Sequence, residues 1–481
     1  MTIVKAVYEN SKKYPNRLAI SGSDGDITYG ELWEYTNKFA AYLHTQGLIK
    51  GDTVVLHGMQ NTAFTVILLG TLLSGGIIVP VDKNITELNL NKVIRETKSK
   101  YVFTPDRIKD MDLGWIKNLL RNIPMKNHEF PPEEDVSDIL FTTGTTGTPE
   151  GIIHTNKSHY ATVENILGLI EMKNDNVSII AAPLNHSFAL RRFYANIVHG
   201  SSVIVLENIL PLNKLFNIID KYGDTSIAMN PSALAIILRY GGESIGKYKN
   251  RMDYMELGGS TLTLDLLHKI VSVLPDTKIY NIYGSTEAGC MTGCSNAELS
   301  KSKGGIGKAN INSDIYILDK NRNIIEGCGE TNSGYLAIKS PIVMKGYLNN
   351  PAKDDEVLQN GYYITKDIVY KDEEGFYYLV GREDDVISIG GLKVSPDEVE
   401  NVVRKYDGIL DCACVAKPDE AAGQIPVLFV VSEGDLNQSA LYKYMSLNME
   451  PYKCPKDIRI IGEIPKTFNG KILRRQLRDM I

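Results

Sequence analysis

Residues 138–151 read DILFTTGTTGTPEG: the apolar run Ile139-Leu140-Phe141 feeds directly into a loop made almost wholly of glycine and threonine. The run predicts a buried strand, and a helical pattern is expected to begin at Lys157. In open α/β sheets, ligands bind beyond the carboxyl ends of the strands. Glycines let backbone N–H groups close on phosphate oxygens, and threonine hydroxyls add donors. The stretch is not a Walker loop, which requires a lysine that is missing here. Taken alone it reads equally well as a surface turn. Glu150 sharpens the question, because it puts a negative charge where a phosphate site would favour a positive one.

Strand and helix patterns alternate on both sides of this loop. The run TYGELWEYTNKFAAYLHTQG (28–47) opens with Thr28 and Glu31, spaced as a capping box. Leu32, Tyr35, Phe39 and Leu43 then recur at helical spacing, and Gly47 ends the run. No Asp, Glu, Lys or Arg occurs from Thr53 to Val81. Gln60, Asn61, Gly70, Gly75, Gly76 and Pro80 interrupt that segment, so it reads as strand, buried helix and strand rather than a membrane span. Further alternation (YVFTP, IKNLLRNI, DILFTT, SHYATVENILGLI) predicts an α/β fold of layered, largely parallel sheets. After about residue 305 short strand-like runs dominate and indicate a β-rich subdomain. From Ser395 a smaller α+β unit follows. The expected organisation is a large domain at 1–381, a hinge at 382–385 and a small C-terminal domain at 386–481.

A chain of 481 residues is too long for one core. The net charge of −6 argues against nucleic acid, whose binders carry a concentrated basic face. Six cysteines are too few for a disulfide framework and are expected to be buried small hydrophobes. Cys412 and Cys414 alternate in ILDCACVA and so should share one strand face. With no apolar leader at the N-terminus, a reducing, cytoplasmic setting is expected.

Six further motifs follow the loop in order: PLNHSF (183–188), LGGSTL (257–262), YGSTE (283–287), ITKD (364–367), GREDD (381–385) and PKTFNGKILRRQLR (465–478). With TTGTTGTPEG, this series resembles the adenylate-forming superfamily of acyl- and aryl-CoA ligases, luciferases and peptide-synthetase adenylation domains. The resemblance spans nearly the whole chain and implies two half-reactions. A carboxylate attacks the α-phosphate of ATP to give an acyl-adenylate and pyrophosphate; a thiol, usually the pantetheine of coenzyme A, then displaces AMP. Because the first step brings two anions together, stabilising the spreading negative charge is the main task.

The resemblance also implies roles for individual residues. Lys471 of NGK would bridge the carboxylate and the α-phosphate, which suits a compact ammonium with three donors. Thr286 would touch the phosphates, and Glu287 would hold Mg2+ together with phosphate oxygens. Thr142, Thr143, Gly144, Thr145, Thr146 and Gly147 would close over the β- and γ-phosphates. Tyr283 would lie along the adenine beside Gly284 and Ser285, with Gly259 and Ser260 shaping the same pocket. Asp367 and Arg382 would bind the ribose, although a surface ion pair is an alternative. Here Lys366 replaces the glycine of the family's TGD, which raises the question of a disturbed backbone. Asp384 would be the hinge residue, and Gly390 and Gly391 would flank the pantetheine. His186, Ser187 and Phe188 would border the acyl pocket. PLNHSFAL has no acidic residue, so the substrate is expected to be a small-molecule carboxylic acid rather than an α-amino acid.

Two matters stay open at the level of sequence. The acceptor is coenzyme A or the phosphopantetheine of an acyl or peptidyl carrier protein. Glu150 stands where the family usually has lysine, and two unit charges 4 Å apart interact by ~4 kcal/mol at an effective dielectric of 20. Its side chain points to solvent, or a cation such as Lys157 neutralises it, or the chain binds ATP weakly or is a non-catalytic nucleotide-binding homologue.

Overall fold

The computed structural model describes every residue except 59, 106, 107, 109, 144–148, 224, 261, 303, 390, 391, 420, 421 and 468–471. The chain forms two compact units: 1–315 with 338–363, and 316–337 with 364–481. This division differs from the sequence boundary at 381. The β-rich segments 316–337 and 364–381 group with the second unit because their strands hydrogen-bond to one another.

In the first unit, the uncharged segment folds as expected. Strands Thr53–His57 and Ile77–Val81 pair in parallel, Thr53 opposite Ile77, with the helix Thr62–Leu73 between them. Every residue of that helix is buried, which explains why it carries no polar stripe. The Asn61 side chain caps it by accepting from the Phe64 N–H. The Thr28–Glu31 capping box forms at the start of the helix Tyr29–Thr45. Among the described residues no helix is long and apolar enough to cross a membrane.

The strand Val136–Thr143 lies beside Ile77–Val81 in a six-stranded sheet. It does not lead through the loop into a helix, as the sequence pattern suggests. A second strand, Pro149–Thr155, returns antiparallel to the first, with Ile139 opposite Ile153 and Thr142 opposite Glu150. Only then does the helix Asn156–Leu169 begin, capped by Thr155. The glycine-threonine loop therefore joins two antiparallel strands. Ile152 and Ile153 carried the signal, a β-branched pair just after the loop.

A nine-stranded sheet forms the rest of the unit's framework. Its interior is parallel and runs through Lys278–Ser285, Met252–Gly258, Thr225–Met229, Val177–Ile180, Ser202–Val205 and Leu18–Gly22. Antiparallel strands finish both edges, Gly289–Ser295 followed by Lys308–Ala309 on one side and Gly25–Thr28 on the other.

Strands Tyr362–Lys371 and Tyr377–Arg382, which lie in the second unit from Ile364 onward, form a hairpin that places Asp367 opposite Arg382. A separate five-stranded sheet is built on the antiparallel pair Ile409–Asp419 and Gly423–Ser432. Cys412 and Cys414 do share a face, in one core with Val399 and Leu441, while Ala413 and Val415 face another with Phe429 and Leu477. All six cysteines are free; five are buried, but Cys328 is exposed, contrary to expectation, because it lies in the polar loop after Leu318.

Candidate active site

The YGSTE motif closes a hairpin. Tyr283, Gly284 and Ser285 end the strand Lys278–Ser285; Thr286, Glu287 and Ala288 make the turn, and the chain returns at Gly289. Gly284 is obligatory, since a Cβ there would come within 1.8 Å of the Gly289 carbonyl oxygen. Turn geometry alone would leave Thr286 and Glu287 exposed to several conformations, but contacts from outside the hairpin hold them.

The first set of contacts comes from the helix Ser187–His199. Arg191 donates to the carbonyl oxygens of Ser285 and Thr286, at 2.8 and 2.7 Å. The Ser187 and Thr286 hydroxyls lie 3.1 Å apart. Arg191 is buried, and burial pulls its pKa down to about 10, with Asp138 opposing the fall. The guanidinium therefore remains charged at neutral pH. Asp138 in turn hydrogen-bonds His159, and His154 packs on His159 with ring centroids 5.0 Å apart. Burial, and then the Arg191 charge, drives the His154 pKa well below its ordinary value, so His154 is neutral.

The second set comes from the stretch 344–347. The Met344 N–H donates to the Glu287 carbonyl at 2.7 Å, and the Tyr347 hydroxyl donates to Glu287 Oε1 at 2.9 Å. Burial, reinforced by the Glu287 charge, raises the Tyr347 pKa, which keeps the phenol a donor. Gly346 and Tyr347 are themselves anchored by pairing with Ile153 and Ile152 of the strand Pro149–Thr155. Glu287 is thus held at its backbone and its side chain, and the loop and the hairpin share one support.

That support includes Glu150. Its carboxylate pairs with Lys353 Nζ, and Lys157 pairs instead with Glu134 at 2.8 Å. Lys157 could not have served, because it lies past the far end of the strand that begins at Pro149, roughly 20 Å away at ~3.3 Å per residue. The sequence suggestion of Lys157 is therefore corrected to Lys353, and Glu150 is a paired charge.

The acyl-pocket candidates sit at the start of the Arg191 helix. His186 is its N-cap residue, and Ser187 and Phe188 are in its first turn. Desolvation lowers the His186 pKa, with Asp82 pulling the other way. Phe188 packs against Gly258, where a Cβ would meet the ring at 2.8 Å. Behind it the Arg192 guanidinium lies 5.0 Å from the Phe188 ring centroid and forms a buried ion pair with Glu256. Next in sequence, Gly259 adopts φ +82°, with open space beyond its Cα, and Ser260 follows half-exposed.

In the second unit, Arg382 Nε lies 3.6 Å from Asp367 Oδ1. Lys366 is within a strand and has no positive φ, so replacing the family's glycine causes no backbone strain. Its ammonium faces Asp384 at 3.4 Å, and the Asp384 carbonyl accepts from Arg478 at 2.8 Å.

Thr142 sits at the loop's entry, opposite Glu150. Gly144, Thr145, Thr146, Gly147, Gly390, Gly391 and Lys471 lie outside the described residues, as does the side chain of Thr143. The sequence reading passed over Arg191, Tyr347, Lys353 and Gly258. Two of them left a signal. Arg191 and Arg192 interrupt an otherwise apolar helix (Ala189, Leu190, Phe193, Tyr194, Ala195), and charges in such a helix must be buried and paired. Gly346-Tyr347 comes one residue after the apolar run Ile342-Val343-Met344.

One carboxylate on a fixed turn suits a divalent cation that draws its other ligands from phosphate and water. Among the described residues no group of three or more His, Cys, Asp or Glu offers a protein cage.

The chain is similar over nearly its whole length to several known proteins. A 2-succinylbenzoate–CoA ligase of Geobacillus sp. (strain WCH70) is 28% identical over 97% of this chain and 95% of its own. A probable CoA ligase of Humulus lupulus is 26% identical over 94% of this chain and 87% of its own. Among solved structures, the o-succinylbenzoate CoA synthetase of Bacillus subtilis, in complex with its acyl-adenylate intermediate, superposes with a TM-score of 0.87 at 22% identity, covering 98% of both chains. ATP-bound MatB from Rhodopseudomonas palustris gives 0.89 at 20%, covering 100% of this chain and 99% of that one. The sequence model of the AMP-binding enzyme matches residues 7–348, and that of the AMP-binding enzyme C-terminal domain matches 398–471. The hairpin that carries Thr286 and Glu287 lies inside the first match, and the chain belongs to the AMP-binding enzyme family.

Proposed function

We propose that this chain is an ATP-dependent acid–CoA ligase that forms AMP and pyrophosphate. The observation that carries the proposal is the fixing of Glu287, by the Met344 N–H at its backbone and the Tyr347 hydroxyl at its carboxylate, on the turn that also presents Thr286. A carboxylate held at both its backbone and its side chain suits a metal–phosphate complex better than a structural turn. The names of the relatives support coenzyme A, rather than a carrier protein, as the acceptor.

In the first half-reaction an oxygen of the acid attacks the α-phosphorus, the bond from that phosphorus to the bridging oxygen breaks, and pyrophosphate leaves. In the second, a thiolate sulfur attacks the acyl carbon, the acyl carbon–oxygen bond breaks, and AMP leaves with the electron pair. Glu287 would hold a magnesium ion together with phosphate oxygens, and that ion would supply neutralising charge there. Thr286 donates to the phosphates from the same turn. Thr142 and the loop 143–147 would close over the β- and γ-phosphates, and Lys471 would bridge the incoming carboxylate and the α-phosphate. Tyr283, Gly284, Ser285, Gly259 and Ser260 receive the adenine, and Asp367 and Arg382 the ribose.

His186, Ser187 and Phe188 line the acyl pocket. The buried acid near it, Glu256, is already paired with Arg192, which supports a plain carboxylic acid over an α-amino acid. Residues 382–385, with Asp384 central, act as a hinge that exchanges Lys471 for the pantetheine approach at Gly390 and Gly391. Six free thiols support a reducing cytoplasmic setting.

The test is a pyrophosphate-release screen over short, medium, long and aromatic acids, with and without coenzyme A. Release with at least one acid, and thioester only when coenzyme A is added, is the expected result. Retained ATP binding with no release for any acid would overturn the proposal.

A further inference from the structure

Glu150 and Lys353 lie 203 residues apart in sequence and pair in space, with 27% of each side chain exposed. Their position gives the pair meaning. Glu150 stands opposite Thr142, at the neck where the two strands enter the glycine-threonine loop. Lys353 Nζ sits 4.1 Å from the centroid of the Tyr347 ring. The hydroxyl of that same ring donates to Glu287. A single aromatic ring therefore separates the Lys353 ammonium from the carboxylate assigned to the metal.

Lys353 is also placed by its backbone. It lies in the first turn of the helix Pro351–Val357, where the Asn350 side chain caps the helix by accepting from the Lys353 N–H. Asp354, the next residue, accepts from the Tyr347 N–H at 2.7 Å. The helix start, the Tyr347 ring and the loop neck thus form one connected support. The side chain itself is flexible, partly exposed and rich in donors.

We infer that Lys353 is the cation that binds the terminal phosphates at this site, and that Glu150 is the positioning residue that holds it at the neck of the loop. An ammonium has three N–H donors, so Lys353 can keep Glu150 and give another donor to an oxygen of the terminal phosphates. The charge that the loop lacks at position 150 is supplied from the helix at 353. Glu150 anchors this cation instead of repelling the nucleotide. The inference rests on the nucleotide reading of the site given above.

The test compares Mg·ATP and AMP binding by calorimetry for the full-length wild type, K353M and the double variant E150Q/K353M. Pyrophosphate release by the wild type serves as a control. AMP has no β- or γ-phosphate, so it reports whether the fold and adenosine site are intact. K353M is expected to weaken ATP binding about tenfold, the loss of one charge-assisted hydrogen bond, and to leave AMP within about twofold. The double variant removes the bare Glu150 charge as well, and ATP binding should still be weakened at least about fivefold, because the cation is gone. Equal loss for ATP and AMP, unchanged ATP binding in K353M, or recovery to wild-type ATP affinity in E150Q/K353M would each overturn the inference. A wild type that binds no ATP and releases no pyrophosphate would instead overturn the underlying nucleotide reading.

Discussion

The Tyr347 hydroxyl donates to Glu287 Oε1 at 2.9 Å across 60 residues of sequence, and it does so from a strand paired with the one that leaves the glycine-threonine loop. The orientation of Glu287 therefore depends on a phenol that no reading of YGSTE alone would include. Y347F keeps the ring and removes the donor. It should raise the Mg·ATP concentration at half-saturation about tenfold, since a hydrogen bond to a charged group contributes ~1.5–3 kcal/mol. Steady-state kinetics at varied Mg·ATP checks this; an unchanged half-saturation would mean that Glu287 is held by its backbone alone.

Arg191 supports the same turn from the other side. R191M leaves the carbonyls of Ser285 and Thr286 without their donor and strips Asp138 of a neighbouring positive charge. A loss of ~3–5 kcal/mol is expected, as for the breaking of a buried charge network. Urea denaturation followed by a probe in the first unit reads the change. R191K keeps the charge but not the two-pronged geometry, and should recover stability more fully than it recovers kcat.

The buried histidines make stability depend on pH. The folded-state pKa of His154 lies well below 6.5, so the unfolded chain binds a proton there that the folded chain does not. Stability is then fully present above about pH 6.5 and falls as pH drops, by up to ~1.4 kcal/mol per pH unit for one such group. His128, His186 and His199 are shifted in the same direction and add to the slope. The Asp138 pKa is also lowered, the His159 charge and hydrogen bond outweighing burial; its contribution is present above about pH 4 and is lost at still lower pH. H154Q should flatten the slope between pH 7 and 5 by up to one proton, measured as unfolding free energy against pH.

The role proposed for Lys471 would separate the half-reactions. K471A should abolish pyrophosphate release yet leave thioester formation from supplied acyl-AMP largely intact. Single-turnover assays of each step check this. Equal loss of both would contradict a two-conformation cycle.

Much of this was legible in the sequence for identifiable reasons. The strand–helix–strand at 53–81 announced itself by its lack of charge, and the helix at Tyr29 by its capping box. Both are local signals. The ordered motifs, likewise read locally, singled out Thr286, Glu287, Asp367 and Arg382 as candidates, and the structure pairs Thr286 with Ser187, Glu287 with Tyr347 and Asp367 with Arg382. The strand Pro149–Thr155 was missed because a helical pattern beginning only a few residues later dominated the reading. Lys353 was out of reach for a different reason. Nothing in PAKDDEV names Glu150 as its partner, and a salt bridge between positions 203 residues apart is set by how strands and helix ends meet in space. Lys157 looked nearer in sequence, but an extended strand carries it away.

The first turn of the helix Ser187–His199 carries the acyl-pocket candidates, and the same helix touches the Thr286 hairpin through Ser187 and, one turn on, through Arg191. This joins two properties that an enzyme engineer would prefer to vary separately. Exchanging His186 and Phe188 to reshape the proposed acyl pocket works on the same helix that contacts Thr286. A library that randomises the first turn but spares Ser187, Arg191 and Gly258 should widen acid choice while keeping turnover. One that moves the whole helix would redraw the reaction centre along with the specificity.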